Sequence, residues 1–537
     1  MAGASASAAG SNGATGAASG GSTSAGGAAG SPAAGAAANR GVITACVMLA
    51  TIMQALDTTI ANVALPYMQG SLSATQDQVN WVLTSYIVAA AIMTPVTGFL
   101  AARFGRKRLF LFSVAGFTAA SVLCGLAGSL EQMVVFRLLQ GVFGAPLVPM
   151  SQSVLLDSYP KEKHGSAMAL WGVGVMVGPI LGPTLGGWLT ESYDWRWVFY
   201  INLPVGILTF LGLSAFLTES RTSLLRFDWL GFLTLSVAIG AFQMMLDRGE
   251  QVDWFSSVEI MLEAALAGLA FYLFLAHSFT SDRPFIDPRL FRDRNFSVGL
   301  LFIFIVGIIL LATLALLTPY LQNMMGYPVI TAGLILAPRG MGTMVAMVIV
   351  GRLINRVDPR ALVLLGLGLT IWVLWEMTGY TPDVSQRTLI LNGVFQGMGL
   401  GFMFVPLSTI TFATLPSEFR TQGTALFSLM RNLGSAIGIS FVTFMLGRNT
   451  QALHAELAGF VTPFNDALHM PAAQHAWNLA TSGGRAALNA EITRQAVIIA
   501  YNNDFKLMML VSAAAIPLLL LLRRARTPGA AAEAVLD

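Results

Sequence analysis

From Gly41 onward the chain alternates long apolar runs with short polar connections. About fourteen such runs of roughly 19 to 25 residues can be counted, each long enough to cross a ~30 Å hydrocarbon core as a helix. None shows the strict alternation of a barrel strand. Backbone facing lipid must find its hydrogen bonds inside its own segment, so the pattern predicts an all-α membrane protein with fourteen transmembrane helices. Residues 1–40 break the pattern, being almost entirely Ala, Gly, Ser, Thr and Asn. Such a stretch buries too little apolar surface to offset its ordering entropy and is expected to be a disordered tail. It lacks both a basic n-region and a continuous apolar h-region, so the first span itself is the expected targeting signal.

Composition supports the same reading. Of 537 residues, 55% are hydrophobic and only 11% charged, with a mean hydropathy of +0.68, whereas soluble domains are about a quarter charged. The net charge of +3 decides little, because in a membrane protein the placement of Lys and Arg carries the information. One alternating set of loops holds about 20 of them and the other about 7, which puts both termini in the cytoplasm. Cys46 and Cys124 lie in apolar runs, and neither a disulfide nor a metal site is expected.

A weak internal repeat organises the spans. GFLAARFGRK from Gly98 echoes GRLINRVDPR from Gly351, Gln140-Gly141 echoes Gln396-Gly397, and Gly165-Ser-Ala echoes Gly423-Thr-Ala, at offsets of 253, 256 and 258 residues. Both members of the first pair fall on cytoplasmic loops, so the halves are parallel repeats. The chain accordingly divides into the tail 1–40, a six-helix bundle 41–220, two inserted spans 221–282, a second six-helix bundle 283–525 and a cytoplasmic tail 526–537. The second bundle carries a long extracytoplasmic loop, 447–497, whose His454, His469 and His475 are spaced too irregularly to favour a metal site.

Few polar residues interrupt the spans, and those that do mark candidate chemistry. Asp57 stands about nine residues before Pro66, roughly 13 Å below the extracytoplasmic end, and Gln54, Thr58 and Asn62 are expected to share its side of the helix and face a wet cavity. Arg137 lies at similar depth in the fourth span with Gln140 beside it. In the second half, Arg339 and Glu376 fall in the extracytoplasmic half of consecutive spans, where they could pair, and with Gln396 and Arg431 they are further candidate cavity residues. The fifth span reads WGVGVMVGPILGPTLGGWL: Gly174, Gly178, Gly182 and Gly186 recur every fourth residue, followed by Gly187, and make a groove for another backbone. Pro179 and Pro183 are expected to bend it.

This glycine and proline run resembles the antiporter signature of the major facilitator superfamily. The following WRWVFYINLPVG, with LDTTIANVALP around Asp57 and FRLLQG around Arg137, resembles the fourteen-helix drug:proton antiporters of the EmrB/QacA group. The resemblance spans roughly residues 41–525. It implies a major facilitator fold of two parallel six-helix repeats plus two inserted helices, with Asp57 and Arg137 in proton coupling. It also implies that Gly98, Arg103, Gly105, Arg106 and Lys107 form a cytoplasmic gating motif, from which Ala102 departs because an Asp is usual there. The same Arg cluster would also serve as a positive-inside anchor.

No P-loop, HExxH, CxxC or GxSxG is present, so no enzyme, cofactor, metal or nucleic-acid function is expected. The resulting expectation is a proton-coupled efflux antiporter for small hydrophobic or amphiphilic compounds. It would sit in a bacterial inner membrane and work with a periplasmic adaptor and outer-membrane channel. The alternatives are a specific metabolite exporter or symporter of the same fold, and a non-transporting scaffold or receptor.

Overall fold

The computed structural model describes residues 32–219, 227–282, 284–462 and 465–523. Among them all regular structure is helical. Thirteen helices are long and apolar enough to span a membrane, and a bent pair makes a fourteenth. The spans are α1 (Pro32–Ser71), α2 (Trp81–Met93 with Val96–Phe104), α3 (Arg106–Leu126), α4 (Leu130–Ser158), α5 (His164–Ser192), α6 (Trp197–Phe216) and α7 (Trp229–Arg248). They continue with α8 (Val258–Thr280), α9 (Arg294–Met324), α10 (Val329–Leu353), α11 (Pro359–Met377), α12 (Gln386–Ala413), α13 (Arg420–Gly459) and α14 (Ser482–Ala514). Of the tail read as 1–40, residues 1–31 lie outside the described residues and Pro32 already begins α1. The tail 526–537 also lies outside them.

Short side chains start the spans. Ser129, Asp228, Asp293, Asp358, Ser385 and Thr481 each accept a hydrogen bond from a backbone N–H in the first turn of the helix they precede, satisfying donors that have no partner inside the helix. Proline acts unevenly. α2 is bent by 57° at Thr94 and Pro95, where the ring cannot donate a hydrogen bond and crowds the preceding turn. α5, by contrast, stays helical through Pro179 and Pro183.

The long loop read as 447–497 is mostly helix. α13 continues to Gly459 and α14 begins at Ser482, which leaves 460–481 as the connection, with a short helix Pro471–Ala476 inside it. RNTQALHAELAG is polar yet rich in Ala, Leu, Gln and Glu, residues that favour helix. Hydropathy ends the span there, but backbone preference does not.

Helices α1–α6 pack into one bundle and α9–α14 into the other, with α7 and α8 against each other and α7 also touching α2 and α13. The halves meet where α5 crosses α10 and α12, and where α13 crosses α2 and α4. The molecule thus has an Arg-rich end, carrying Arg103–Arg108 and Arg420, and a far end, where α13 and α14 project.

Candidate functional site

The most buried polar cluster of the first half is built on α1. Asp57 is 1% exposed, and both of its carboxyl oxygens are bonded. Arg137 on α4 donates from Nη1 to Oδ2 at 2.8 Å, while Gln140, one turn further along α4, donates to Oδ1 at 2.7 Å and accepts from Arg137 at 2.7 Å. Asn202 at the head of α6 also donates to Oδ1, at 3.0 Å, and to Ser121 Oγ of α3 at 2.9 Å. Arg137 is held from its other side, because Nε donates to the Val82 carbonyl at 3.0 Å and the guanidinium lies 4.3 Å from the centre of the Tyr86 ring. Residues of α4 and α6 therefore bond the carboxylate, and α2 and α3 hold those residues in place. A buried charge pair of this kind persists only when further hydrogen bonds support both partners.

Asp57, Arg137 and Gln140 come together, but the polar stripe expected beside Asp57 divides. Gln54 donates to the Tyr86 hydroxyl at 3.1 Å, at the edge of the cluster. Thr58 bonds back to its own helix through Ala55 O, and Asn62 is exposed. A helix turns about 100° per residue, so a position five away lies roughly 140° around the cylinder. Asn62 therefore faces away from Asp57, and the carboxylate faces the bundle interior instead of a cavity.

The opposite face of α1 carries the glycine seam of α5. A Cβ on Gly174 would meet Met48, one on Gly178 would lie 2.5 Å from the Ala55 carbonyl carbon, and those on Gly182 and Gly186 would meet Thr59 and Ile60. Thr59 Oγ1 donates to Gly178 O at 3.0 Å. A Cβ on Gly187 would meet nothing within 4 Å, so this residue lies outside the seam. Beyond the seam, α5 reaches the second half: Gly340 receives the Ile180 side chain, Gly172 faces Met347, and Trp171 stacks on Phe404 at 5.9 Å. The carboxylate site and the contact between halves are thus two faces of one α1–α5 pair.

At the Arg-rich end the halves are tied together. Asp157 at the end of α4 pairs with Arg106 of its own half and with Arg420 of the other. Ser153 Oγ lies 2.9 Å from Thr421 Oγ1, and Thr424 Oγ1 donates to Pro149 O at 3.0 Å. Gly98 permits the crossing, since its Cβ would lie 2.9 Å from Gln422 Cα. Gly105, at φ +88°, occupies the left-handed region where glycine is favoured. Beside it Glu219 accepts from Lys107 N at 3.2 Å, and Lys107 Nζ donates to Ser214 O at 2.7 Å. Arg103 lies 6.0 Å from the Phe104 ring centre. Asp157 and Glu219 thus each touch the basic stretch that follows Ala102.

Among the described residues, the second half holds no buried arginine–carboxylate pair equivalent to that of Asp57. Arg339 and Glu376 do not pair: Arg339 Nη2 donates to Leu310 O at 3.0 Å, while α11, which carries Glu376, packs on α12 and α14. Span order does not set which way these side chains face; packing partners do. Gln396 is buried with neither amide atom bonded. Arg431 donates to Asn432 Oδ1 at 3.4 Å. Asn202, Ser121, Tyr86 and Asp157 escaped the sequence reading. Asn202 stood inside a motif already singled out, and a lone amide in an apolar run was the available signal.

The comparisons with known proteins agree with this architecture. A model of the Major Facilitator Superfamily matches residues 47–439. The multidrug export protein EmrB of Haemophilus influenzae is 37% identical over 473 residues, 86% of this chain and 92% of that protein. The fatty acid resistance protein FarB of Neisseria gonorrhoeae is 38% identical over 480 residues, 89% and 94% of the two chains. Among solved structures, the proton:xylose symporter XylE superposes with a TM-score of 0.57 at 13% identity, covering 91% of this chain and 100% of that one. The human organic anion transporter MFSD10 gives 0.57 at 15% identity, covering 88% and 99%.

Proposed function

The chain belongs to the major facilitator superfamily, and on that premise we propose that it exports hydrophobic and amphiphilic compounds from the bacterial cytoplasm in exchange for protons. Multidrug export is the function that its EmrB relatives carry in their names, at 37% identity over most of both chains. The observation that carries the proton half of the reading is the buried Asp57, Arg137, Gln140 and Asn202 cluster. A carboxylate bonded to a cation keeps its charge, whereas the same group deprived of that partner in an apolar interior favours its acid form. Movement of α4 or α6 relative to α1 therefore changes the proton affinity at Asp57. Because α1 bears the α5 seam on its other face, the same movement loads the contact between halves.

In this reading the Arg-rich end is cytoplasmic and is the closed gate, and Gly98, Gly105, Arg106 and Lys107 belong to it together with Asp157 and Arg420. Substrate binds between the halves and leaves toward the far end. The hairpin formed by α13 and α14 beyond the membrane is the surface for a periplasmic adaptor, which would extend export across a second membrane. A specific metabolite exporter or a symporter of the same fold would use the same parts, and a scaffold would need none of the buried charge.

Reconstituted vesicles test the proposal. The purified protein should move a hydrophobic dye outward when a proton gradient is imposed, and Asp57→Asn should insert normally and fail to do so. Proton-driven transport by Asp57→Asn at the wild-type rate would remove Asp57 from the mechanism. Co-purification with and without residues 460–481 tests the adaptor, and undiminished binding after the deletion would place the docking surface elsewhere.

A further inference from the structure

The second bundle holds its own buried acid. Asp504 on α14 is 0% exposed. Oδ1 accepts from Asn449 Nδ2 of α13 at 3.3 Å, and Oδ2 has no hydrogen-bond partner among the described residues. The contrast with Asp57 is sharp in chemical terms: one carboxyl has a cation and two amides on its two oxygens, the other a single amide on one.

The surroundings supply no counter-charge. α14 packs on α13, α11 and the end of α9. The titratable groups on that side are phenols: Tyr501 one turn before Asp504, Tyr320 at the end of α9, whose ring lies 5.2 Å from Tyr501, and Tyr380 after α11, 6.2 Å from Tyr320. Burial pushes the Tyr380 phenol up to about 12, so it stays neutral at any physiological pH. Arg448 beside Asn449, Lys506 on α14 and Asp383 after α11, whose charge acts on Tyr320, are exposed, and Glu376 is half-buried near the end of α11; none of these forms an ion pair with Asp504 among the described residues. Tyr320 Oη and Asn502 Oδ1 are likewise buried and unpartnered among the described residues.

An ionised carboxylate in such a place would lack both a cation and most of its hydrogen bonds, whereas a protonated one needs neither.

We propose that Asp504 is a second proton-binding carboxyl of the exchange, so that two protons cross per substrate exported, one on each bundle. The proton resides on Oδ2 while Oδ1 keeps the Asn449 bond, and it leaves as hydronium when separation of α13 from α14 admits water. No covalent bond besides O–H forms or breaks. The inference rests on the exporter reading for its place in a cycle, but not for the protonation itself.

Two measurements test it separately. With the membrane potential clamped at zero in vesicles, net flux vanishes when the logarithm of the substrate gradient equals the pH difference multiplied by the number of protons exchanged. The expected slope is two for the wild type and one for Asp504→Asn. A wild-type slope of one, or a slope of two retained in Asp504→Asn, overturns the proposal, and the wild-type value decides even where the variant fails to fold. Infrared spectroscopy of the resting protein should show a protonated-carboxyl carbonyl band that Asp504→Asn removes and Asp57→Asn leaves. Absence of a band that depends on Asp504 also overturns it. Failure of Asp57→Asn to lose coupled transport would instead count against the exporter mechanism and leave the infrared result standing.

Discussion

Asn202 reaches Asp57 from 145 residues away in the chain, and its contribution can be separated from that of Arg137. Replacing it with Ala removes one donor from Oδ1 while the Arg137 and Gln140 bonds stay. A charge-assisted hydrogen bond of this type contributes about 1.5–3 kcal/mol, and its loss favours the protonated carboxyl. Transport by Asn202→Ala should therefore persist, with its pH of half-maximal rate shifted upward; an unchanged pH profile would mean that Asn202 only packs. Arg137→Ala is the harsher change, because it leaves Asp57 buried without a cation, and drive-dependent efflux should fall at least tenfold. Arg137, Gln140 and Asp57 were legible in the sequence because a charge deep in an apolar run has few innocent explanations. Asn202 and Ser121 were not, because a single amide or hydroxyl in such a run usually bonds to its own helix, as Thr58 does. Asn62 was misplaced by treating a spacing of five as one face of a helix.

Helices were the easier part to read. Span count and glycine periodicity follow from local composition, and the α5 glycines do lie against α1 at Gly174, Gly178, Gly182 and Gly186. The lengths of α13 and α14 and the Arg339 environment were not legible, since helix continuation in a polar segment and the choice of packing partner depend on what lies across from them. The seam makes a paired prediction. Gly178→Leu must push against the Ala55 backbone, and overpacking of this kind costs roughly 1–3 kcal/mol. Gly187→Ala enters open space. Thermal unfolding in detergent should show a clear drop for the first and none for the second, and equal behaviour would dissolve the seam as a structural element.

Taken as a whole, the protein is tied across its halves at the Arg-rich end, where Asp157, Ser153 and Thr421 join them. Cysteines placed at Ser153 and Thr421, in a protein whose Cys46 and Cys124 have been replaced, should cross-link readily and stop transport until a reductant is added. Continued transport by the cross-linked protein would show that this contact need not open. Topology has its own check: a phosphatase fused after residue 470 should be active and one at residue 530 inactive. α13 ties these ends together mechanically. Its 40 residues make a beam of about 60 Å, packed on α9 from Gly423 against Phe296 to Gly438 against Ile308. A tilt of ~5° about its midpoint would displace each tip by roughly 2–3 Å in opposite directions. If α13 tilts as one body, opening beside Arg420 swings the projecting hairpin, and a protein clamped onto that hairpin would act as a brake on the proposed gate without touching it.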